Sequence, residues 1–187
     1  MKRTMIFFTV ALCLLSQAQA QRYLPGQQGL QFTAGTVNAV NLNKGFHAGA
    51  AFSTYTTKGN RWIFGGEYLE KHYQYKDLNI PQSQFTVEAG YYLKFLSDGS
   101  KTFFFSLGAS LLAGYETVNW NEKRLFDGAT VNNKDAFLLG GALTLEMEIF
   151  LNDWLVLLVN VRERLLGGSS LGRLNTQFGT GLKFILN

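Results

Sequence analysis

The feature that most constrains this chain is a two-residue alternation of large apolar side chains with small or polar ones. Successive side chains of a β-strand point to opposite faces, so a period of two predicts strands. In each segment one face carries large apolar residues, while the other carries Gly, Ser, Thr and charged residues. The pattern recurs in eight segments: Leu30–Thr36, Phe46–Ser53, Arg61–Tyr68, Phe85–Phe95, Phe103–Leu111, Phe137–Ile149, Trp154–Arg164 and Leu174–Phe184.

The distribution of charge between the two faces decides the class of β-protein. A soluble barrel places its large apolar residues inside and its charges outside, whereas here the charges share the face of small residues, as in a narrow polar lumen. Strands of roughly 9 to 14 residues also suit tilted membrane-spanning strands. We therefore predict an all-β fold, an eight-stranded antiparallel transmembrane β-barrel of the small outer-membrane type, in contact with outer-membrane lipid.

Connection lengths support this architecture, because outer-membrane barrels have short turns at one end and long loops at the other. The predicted short turns are Thr56–Asn60, Ser97–Ser100 and Leu151–Asp153. The predicted long connections are Asn38–Gly45, Gln74–Ser83, Tyr115–Asp135 and Leu165–Gly172. The longest connection holds Trp120 and Phe126, which we interpret as possible partner contacts; packing over the barrel mouth and disorder are the alternatives.

Two expectations concern individual strands. In Trp154–Arg164 we place Leu155, Leu157, Val159 and Val161 on the lipid face, which puts Val156 and Leu158 in the lumen, with a phase error of one residue left open. Aromatic residues near the short-turn ends are expected to anchor at the boundary between lipid and water. These residues are Trp62, Phe95, Phe103, Phe150, Trp154 and Phe184.

Charged residues on the inner face are predicted to form structural ion pairs, because the lumen of an eight-stranded barrel has room only for side chains. A proton or ion path is the alternative. The predicted lumen charges are Glu88, Lys94, Glu146, Glu148, Arg162, Arg164 and Lys183. His47 and His72 are the only histidines, so a multi-histidine metal site is excluded, and no motif defines a catalytic set. We predict no catalytic, cofactor-binding or metal-binding residue.

The N-terminus resembles a secretory signal peptide. Lys2 and Arg3 precede the apolar run Met5–Leu15, and Ala18 and Ala20 form an Ala-x-Ala cleavage site. We therefore divide the chain into a signal peptide, residues 1–20, and a barrel domain, residues 21–187. The single cysteine is removed with the leader, so the mature chain has no disulfide. The net charge of +4 includes no cluster of Lys and Arg in the barrel domain, and direct nucleic-acid binding is not expected.

Several strings distributed along the chain form a recognisable set: Gln21–Gly26, Gly29–Gly35, Gly65–Leu69, Ile80–Thr86, Gly90–Asp98, Gly114–Thr117, Asp127–Thr130, Asp135–Phe137, Arg162–Arg164, Thr176–Gly179 and Gly181–Phe184. Together they resemble the conjugative transposon TraO family of Bacteroides-type mobile elements. The resemblance implies a component of a conjugation apparatus, with other apparatus proteins as partners, in the outer membrane of a Gram-negative, Bacteroides-type bacterium. It implies no catalytic residue. The alternative is a free-standing small barrel that acts as an adhesin, a narrow pore or a lipid-modifying enzyme.

The leader generates a prediction about processing and location. Signal peptidase should cleave after Ala20, so that the mature protein begins at Gln21 and fractionates with outer membranes. N-terminal sequencing of the protein from membrane fractions measures this directly. Recovery of an intact Met1 in a cytoplasmic pool would contradict the prediction.

Overall fold

Backbone hydrogen bonding closes the chain into a barrel. The structure, a computed structural model, describes residues 23–38, 45–75, 78–118, 135–169 and 174–186. The strands pair antiparallel in chain order, and the last strand pairs with the first. Closure leaves no unpaired sheet edge between the strands, as membrane-spanning sheets require. Within the described ranges, no helix is long and apolar enough to cross a membrane.

The eight predicted strands are confirmed, with bounds wider than the sequence pattern indicates. They are β1 Gln28–Val37, β2 Gly45–Tyr55, β3 Arg61–Tyr75, β4 Leu78–Ser97, β5 Phe103–Val118, β6 Ala136–Phe150, β7 Leu155–Gly167 and β8 Leu174–Leu186. The fold class is therefore an all-β transmembrane barrel of the small outer-membrane type. The expected signal peptide, together with Trp120 and Phe126, lies outside the described residues.

The two faces of each strand divide as the alternation predicts. Outward positions expose large apolar side chains: Phe137 is 84% and Leu111 76% accessible. The predicted phase of β7 is confirmed, because Val156 and Leu158 are fully buried inside the barrel while Val161 faces out. A broad apolar outer wall is the surface that a bilayer covers.

Side chains cap two of the turns at the short-turn end. Asp98 Oδ1 accepts hydrogen bonds from the backbone N–H groups of Thr102 and Phe103, each at 2.8 Å. Asn152 Oδ1 accepts the backbone N–H groups of Trp154 at 3.0 Å and Leu155 at 2.7 Å. Asp and Asn favour such turns because their short polar side chains bond to nearby backbone groups. These caps explain why connections this short reverse the chain.

The predicted loop Gln74–Ser83 is wrong, because most of it is strand. β3 and β4 continue pairing as far as Tyr75 and Leu78, beyond the last residues that pair with β2 and β5. Pro81 therefore lies within β4, although proline is uncommon inside strands because it cannot donate a backbone hydrogen bond. It precedes Gln82, where pairing with β5 begins, so its missing N–H interrupts no ladder with that strand. Polar side chains conceal this extension from an apolar pattern, since backbone pairing does not require apolar residues.

Aromatic rings fill the short-turn end of the barrel. Tyr23, just before β1, stacks on Tyr55 with ring centroids 3.9 Å apart. It also contacts Phe104 at 5.3 Å and Phe150 at 5.2 Å, and its hydroxyl donates to Glu148 Oε2 at 2.8 Å. We call these four rings the aromatic plug. Together they occupy the mouth of the lumen at this end.

One member of the plug corrects an expectation from the sequence. Phe150 is predicted at the lipid boundary, but the structure buries it inside the barrel. It follows Ile149, which faces out, so the alternation of β6 itself turns Phe150 inward. Trp62, Phe95, Phe103 and Trp154 are exposed on the outer face, and Phe184 stacks with Trp154 at 6.0 Å.

The aromatic plug generates a stability prediction. Tyr23→Ala should lower the free energy of unfolding by about 3–5 kcal/mol, because it removes a buried ring from three aromatic contacts. Tyr23→Phe keeps the ring and removes only the bond to Glu148, so its cost should be about 1.5–3 kcal/mol. Urea unfolding in detergent micelles measures both variants. Equal stability of Tyr23→Ala and the unmodified protein would contradict the packing described here.

Candidate functional site

A network of hydrogen bonds and ion pairs lines the lumen, into which the strands direct every second side chain. Because the barrel has eight strands, residues from opposite walls meet across the interior. Water is largely excluded there, so a charge without a partner would be costly. The lumen charges form a lower layer next to the aromatic plug and a middle layer above it.

The lower layer contains two carboxylates and two cations. Glu146 and Glu148 are adjacent inward positions of β6, and both are 1% exposed; Arg61 and Lys183 are fully buried. Arg61 contacts Glu146, and Lys183 contacts Glu148. Cross contacts join the pairs, with Arg61 Nη1 3.2 Å from Glu148 Oε1 and Lys183 Nζ 3.6 Å from Glu146 Oε1. The four charges therefore neutralise one another as a group.

Aromatic rings surround this group of charges. The Arg61 guanidinium carbon lies 4.8 Å from the ring centroid of Tyr92, a position that suits a cation–π contact. Lys183 Nζ donates to the Tyr55 hydroxyl at 3.3 Å. Gly108 makes room for Tyr92, since a Cβ atom at that position would lie 2.5 Å from its ring. The lower layer is thus held by packing as well as by charge.

The middle layer centres on Glu67 and two arginines of β7. Arg162 Nη2 donates to Glu88 Oε2 at 2.7 Å, and Arg164 Nη1 donates to Glu67 Oε1 at 2.8 Å. Arg162 Nη1 also lies 3.4 Å from Glu67 Oε2. Its Nη2 atom reaches the hydroxyl of Tyr92 at 3.1 Å, which connects the middle layer to the lower one.

The structure places six of the seven predicted lumen charges in these two layers and one elsewhere. Lys94 faces the interior near the short-turn end, where its Nζ atom lies 5.2 Å from the ring centroid of Phe104. No carboxylate pairs with it among the described residues, so the expected ion pair is replaced by a contact with an aromatic ring. A lysine so near the mouth retains access to water, and its side chain is partly exposed.

Arg61, Glu67 and Tyr23 are central to the network, although they are not among the predicted site residues. Arg61 and Glu67 alternate with the large apolar residues Trp62 and Tyr68 of β3, so the two-residue period is a sufficient signal for both. No pattern marks Tyr23, since it lies outside the strands and joins the plug only when the barrel is closed.

A small cavity lies beside the middle layer. Its volume is about 20 Å³, and its lining includes Gln31, His47, Glu67 and Gln177. That volume holds roughly one water molecule. His47 Nε2, Gln31 Oε1 and Gln177 Oε1 are buried without a protein hydrogen-bond partner, so a water molecule there would have polar groups to bind.

Each of the two histidines lies beside a glutamate. His47 is 3% exposed, with Nδ1 3.5 Å from Glu67 Oε2. His72 lies near the long-loop end, with Nε2 3.0 Å from Glu70 Oε1. In the described part of the chain, no serine or threonine hydroxyl hydrogen-bonds to either ring, so the contact that activates a nucleophile is not formed there. The same residues contain no group of three or more His, Cys, Asp or Glu that could hold a metal ion.

The lower layer generates a prediction for the interior charges. Glu146→Ala should lower the free energy of unfolding by about 3–5 kcal/mol, because Arg61 and Lys183 would retain buried charge with one carboxylate between them. Glu70→Ala is the matched control: this carboxylate faces outward near the rim, and its loss should cost about 1 kcal/mol or less. Urea unfolding in detergent compares the two. Unchanged stability of Glu146→Ala would show that the pair is hydrated.

Comparisons with known proteins agree with the fold. Neisserial surface protein A superimposes with a TM-score of 0.54 at 12% identity, covering 85% of this chain and 96% of that protein. The N-terminal β-barrel domain of Pseudomonas aeruginosa OprF gives a TM-score of 0.54 at 9% identity, covering 86% of this chain and 98% of the domain. At such identities the likeness concerns the fold alone. No curated protein sequence matches the chain.

The family comparison is more specific. A sequence model described as conjugative transposon protein TraO matches residues 24–186, from just before β1 to the last residue of β8. Because the match covers nearly all of the chain, this protein belongs to the conjugative transposon protein TraO family.

Proposed function

We propose that this protein is a non-enzymatic outer-membrane component of a conjugative DNA-transfer apparatus, with the barrel as its anchor. The family implies a role in a conjugative transposon. The observation that carries the proposal is that ion pairs and an aromatic plug occupy the lumen, which leaves the rim, the loops and the outer wall for contact with other proteins. The proposed location is the outer membrane of a Gram-negative, Bacteroides-type bacterium.

The outer wall supports the role of membrane anchor. Large apolar side chains face outward on all eight strands, among them Phe32, Phe52, Phe64 and Leu107. Trp62 and Trp154 lie on this face near the short-turn end, where indole rings favour the boundary between lipid and water. Such a surface needs lipid around it, and it positions both ends of the barrel in the aqueous phases.

The filled lumen argues for a platform rather than a pore. Arg61, Glu146, Glu148 and Lys183 contact one another across the lower lumen, and the aromatic plug lies directly below them. An ion entering from the short-turn end would have to displace buried rings and break buried ion pairs. A conducting pore instead lines an open path with partly hydrated groups.

The longest loop is the best candidate for partner contact. Its ends are held together where the Tyr115 hydroxyl donates to Asp135 Oδ2 at 2.9 Å. Between these ends the sequence carries Trp120 and Phe126, both outside the described residues. Loops on a rigid barrel are free to present apolar anchors to another protein, whereas strand residues are committed to lipid and lumen. We propose that this loop binds another protein of the transfer apparatus and makes no direct contact with DNA.

The proposal predicts a separation between loop and barrel. A Trp120→Ala, Phe126→Ala double variant should keep normal abundance in the outer membrane yet transfer DNA less efficiently, because burial of each ring contributes about 1.5–3 kcal/mol to a contact. A mating assay that counts recipient cells carrying the element measures the effect.

A matched control distinguishes the effect of the two aromatic side chains from the effect of changing any part of the loop. Asn132→Ala, Asn133→Ala alters the same loop without removing an apolar side chain, and transfer should be unchanged. Full transfer by the Trp120→Ala, Phe126→Ala strain would reject this loop as the contact and direct attention to the short turns. Normal transfer by a strain lacking the whole protein would instead favour a free-standing barrel such as an adhesin.

A further inference from the structure

The outer wall of the barrel is interrupted by a groove that crosses β5 to β8. Small residues form its floor, with Ala109 on β5 beside Gly141 on β6. Leu143, Leu165 and Leu174 form its sides, each more than half exposed. The groove has a volume of about 440 Å³. We call this surface the lateral groove.

A carboxylate lies within this apolar surface. Glu163 lines the lateral groove and faces outward on β7, between Val161 and Leu165 along the strand and opposite Leu143 on β6. The Thr176 hydroxyl donates to Glu163 Oε2 at 2.6 Å. In the described ranges no Lys or Arg forms an ion pair with Glu163, in contrast to the carboxylates of the lower and middle layers.

An ionised carboxylate on the lipid side of a transmembrane strand is unfavourable, and such residues mark functional positions. Within the described ranges the barrel itself shows no need for Glu163, since the hydrogen bond from Thr176 joins two outward side chains of adjacent strands. Small residues beside it allow a second backbone to approach closely, as they do at the interfaces of membrane proteins. The carboxylate, the floor of small residues and the apolar sides therefore suit an apolar segment that carries a positive charge.

We propose that the lateral groove binds a membrane-spanning segment of another outer-membrane protein, which inserts a lysine or arginine side chain to pair with Glu163. The apolar stem of such a side chain lies along Leu143 and Leu165, while its charged end reaches the carboxylate. Pairing relieves the cost of leaving either charge alone in lipid, and the low dielectric constant of the surroundings strengthens the attraction between them. This contact is independent of the role proposed for the longest loop.

The described residues of a second copy of this chain do not supply the required charge. In the described strands every lysine and arginine faces the lumen, namely Arg61, Lys71, Lys94, Arg162, Arg164 and Lys183. Lys58 and Lys101 belong to short turns, at the opposite end of β7 from Glu163. Because two copies insert in the same direction, neither lysine reaches the groove of a neighbour.

A lipid headgroup is a poorer match than a protein side chain. Leu165 is the next outward residue after Glu163 toward the long-loop end of β7, and its pairing partner Leu174 is the first residue of β8; both are exposed. An amine in the headgroup layer would have to pass these leucines to reach the carboxylate. A basic residue within a membrane-spanning segment is already at the depth of the groove.

Photocrosslinking in cells that carry the complete transfer apparatus tests the proposal. The photoreactive residue p-benzoylphenylalanine replaces Leu165 in the groove, or Phe64 on β3 as the matched control; these positions are 56% and 53% exposed. The Leu165 probe should yield a crosslinked peptide from a membrane-spanning segment that contains Lys or Arg, and the Phe64 probe should not. Glu163→Gln should lower the yield several-fold, while Glu70→Gln, which changes the other outward carboxylate, should not.

Charge exchange then identifies the contact. Glu163→Lys should abolish the crosslink, and replacing the basic residue of the identified segment with Glu should restore it. The proposal is overturned if the probe captures only lipid, captures this same chain, captures a segment without a basic residue, or gives the same yield in Glu163→Gln.

A measurement on the purified protein distinguishes loss of the proposed contact from a folding defect of the variant. Glu163→Leu in liposomes should unfold at the same urea concentration as the unmodified protein or at a higher one, because the barrel alone does not need the carboxylate. Unfolding at a lower concentration would show that Glu163 serves the barrel, and this too would overturn the proposal.

Discussion

Neutralisation of charge inside a narrow barrel is the constraint on which the rest of this structure depends. Eight strands enclose a lumen that side chains fill, so an ion within it must find its partner among the residues of the opposite wall. Arg61, Glu146, Glu148 and Lys183 satisfy this requirement as a group of four, and Arg162 links the layer above to Tyr92. Because the polar and charged side chains point into the lumen, the outward positions of the strands are left to apolar side chains, which form the outer wall.

This arrangement limits where function can be located. Ion pairs occupy the lower lumen, and Tyr23 and its neighbouring rings close it at the short-turn end. In the proposed role, contact with other proteins depends on the loops, the rim and the outer wall. Glu146 and Glu163 illustrate the difference: the first is buried between two cations, whereas the second faces the bilayer with one hydroxyl as its described partner.

The sequence predicts a structural feature well where that feature depends on residues that are close together in the chain. Alternation predicted the strands and their faces, including the orientation of Val156 and Leu158, since side-chain direction is a local property of an extended backbone. It was less informative at Gln74–Ser83, where polar residues continue the β3–β4 pairing, and at Phe150, where an aromatic residue was assigned to the lipid boundary by its position near a turn. Lys94 was assigned to the correct face, but its neighbour is the Phe104 ring instead of a carboxylate.

By itself, the sequence determined the number of strands, the polar and apolar faces, the two kinds of connection and the family resemblance. All of these depend on residues close together in the chain. Only the tertiary structure decided which charges meet, because closure of the barrel brings β3 across from β6 and places Tyr23 against Glu148, 125 residues away. The lateral groove has the same origin: Ala109, Gly141, Glu163 and Leu174 belong to four strands, and their proximity depends on the register in which those strands pair.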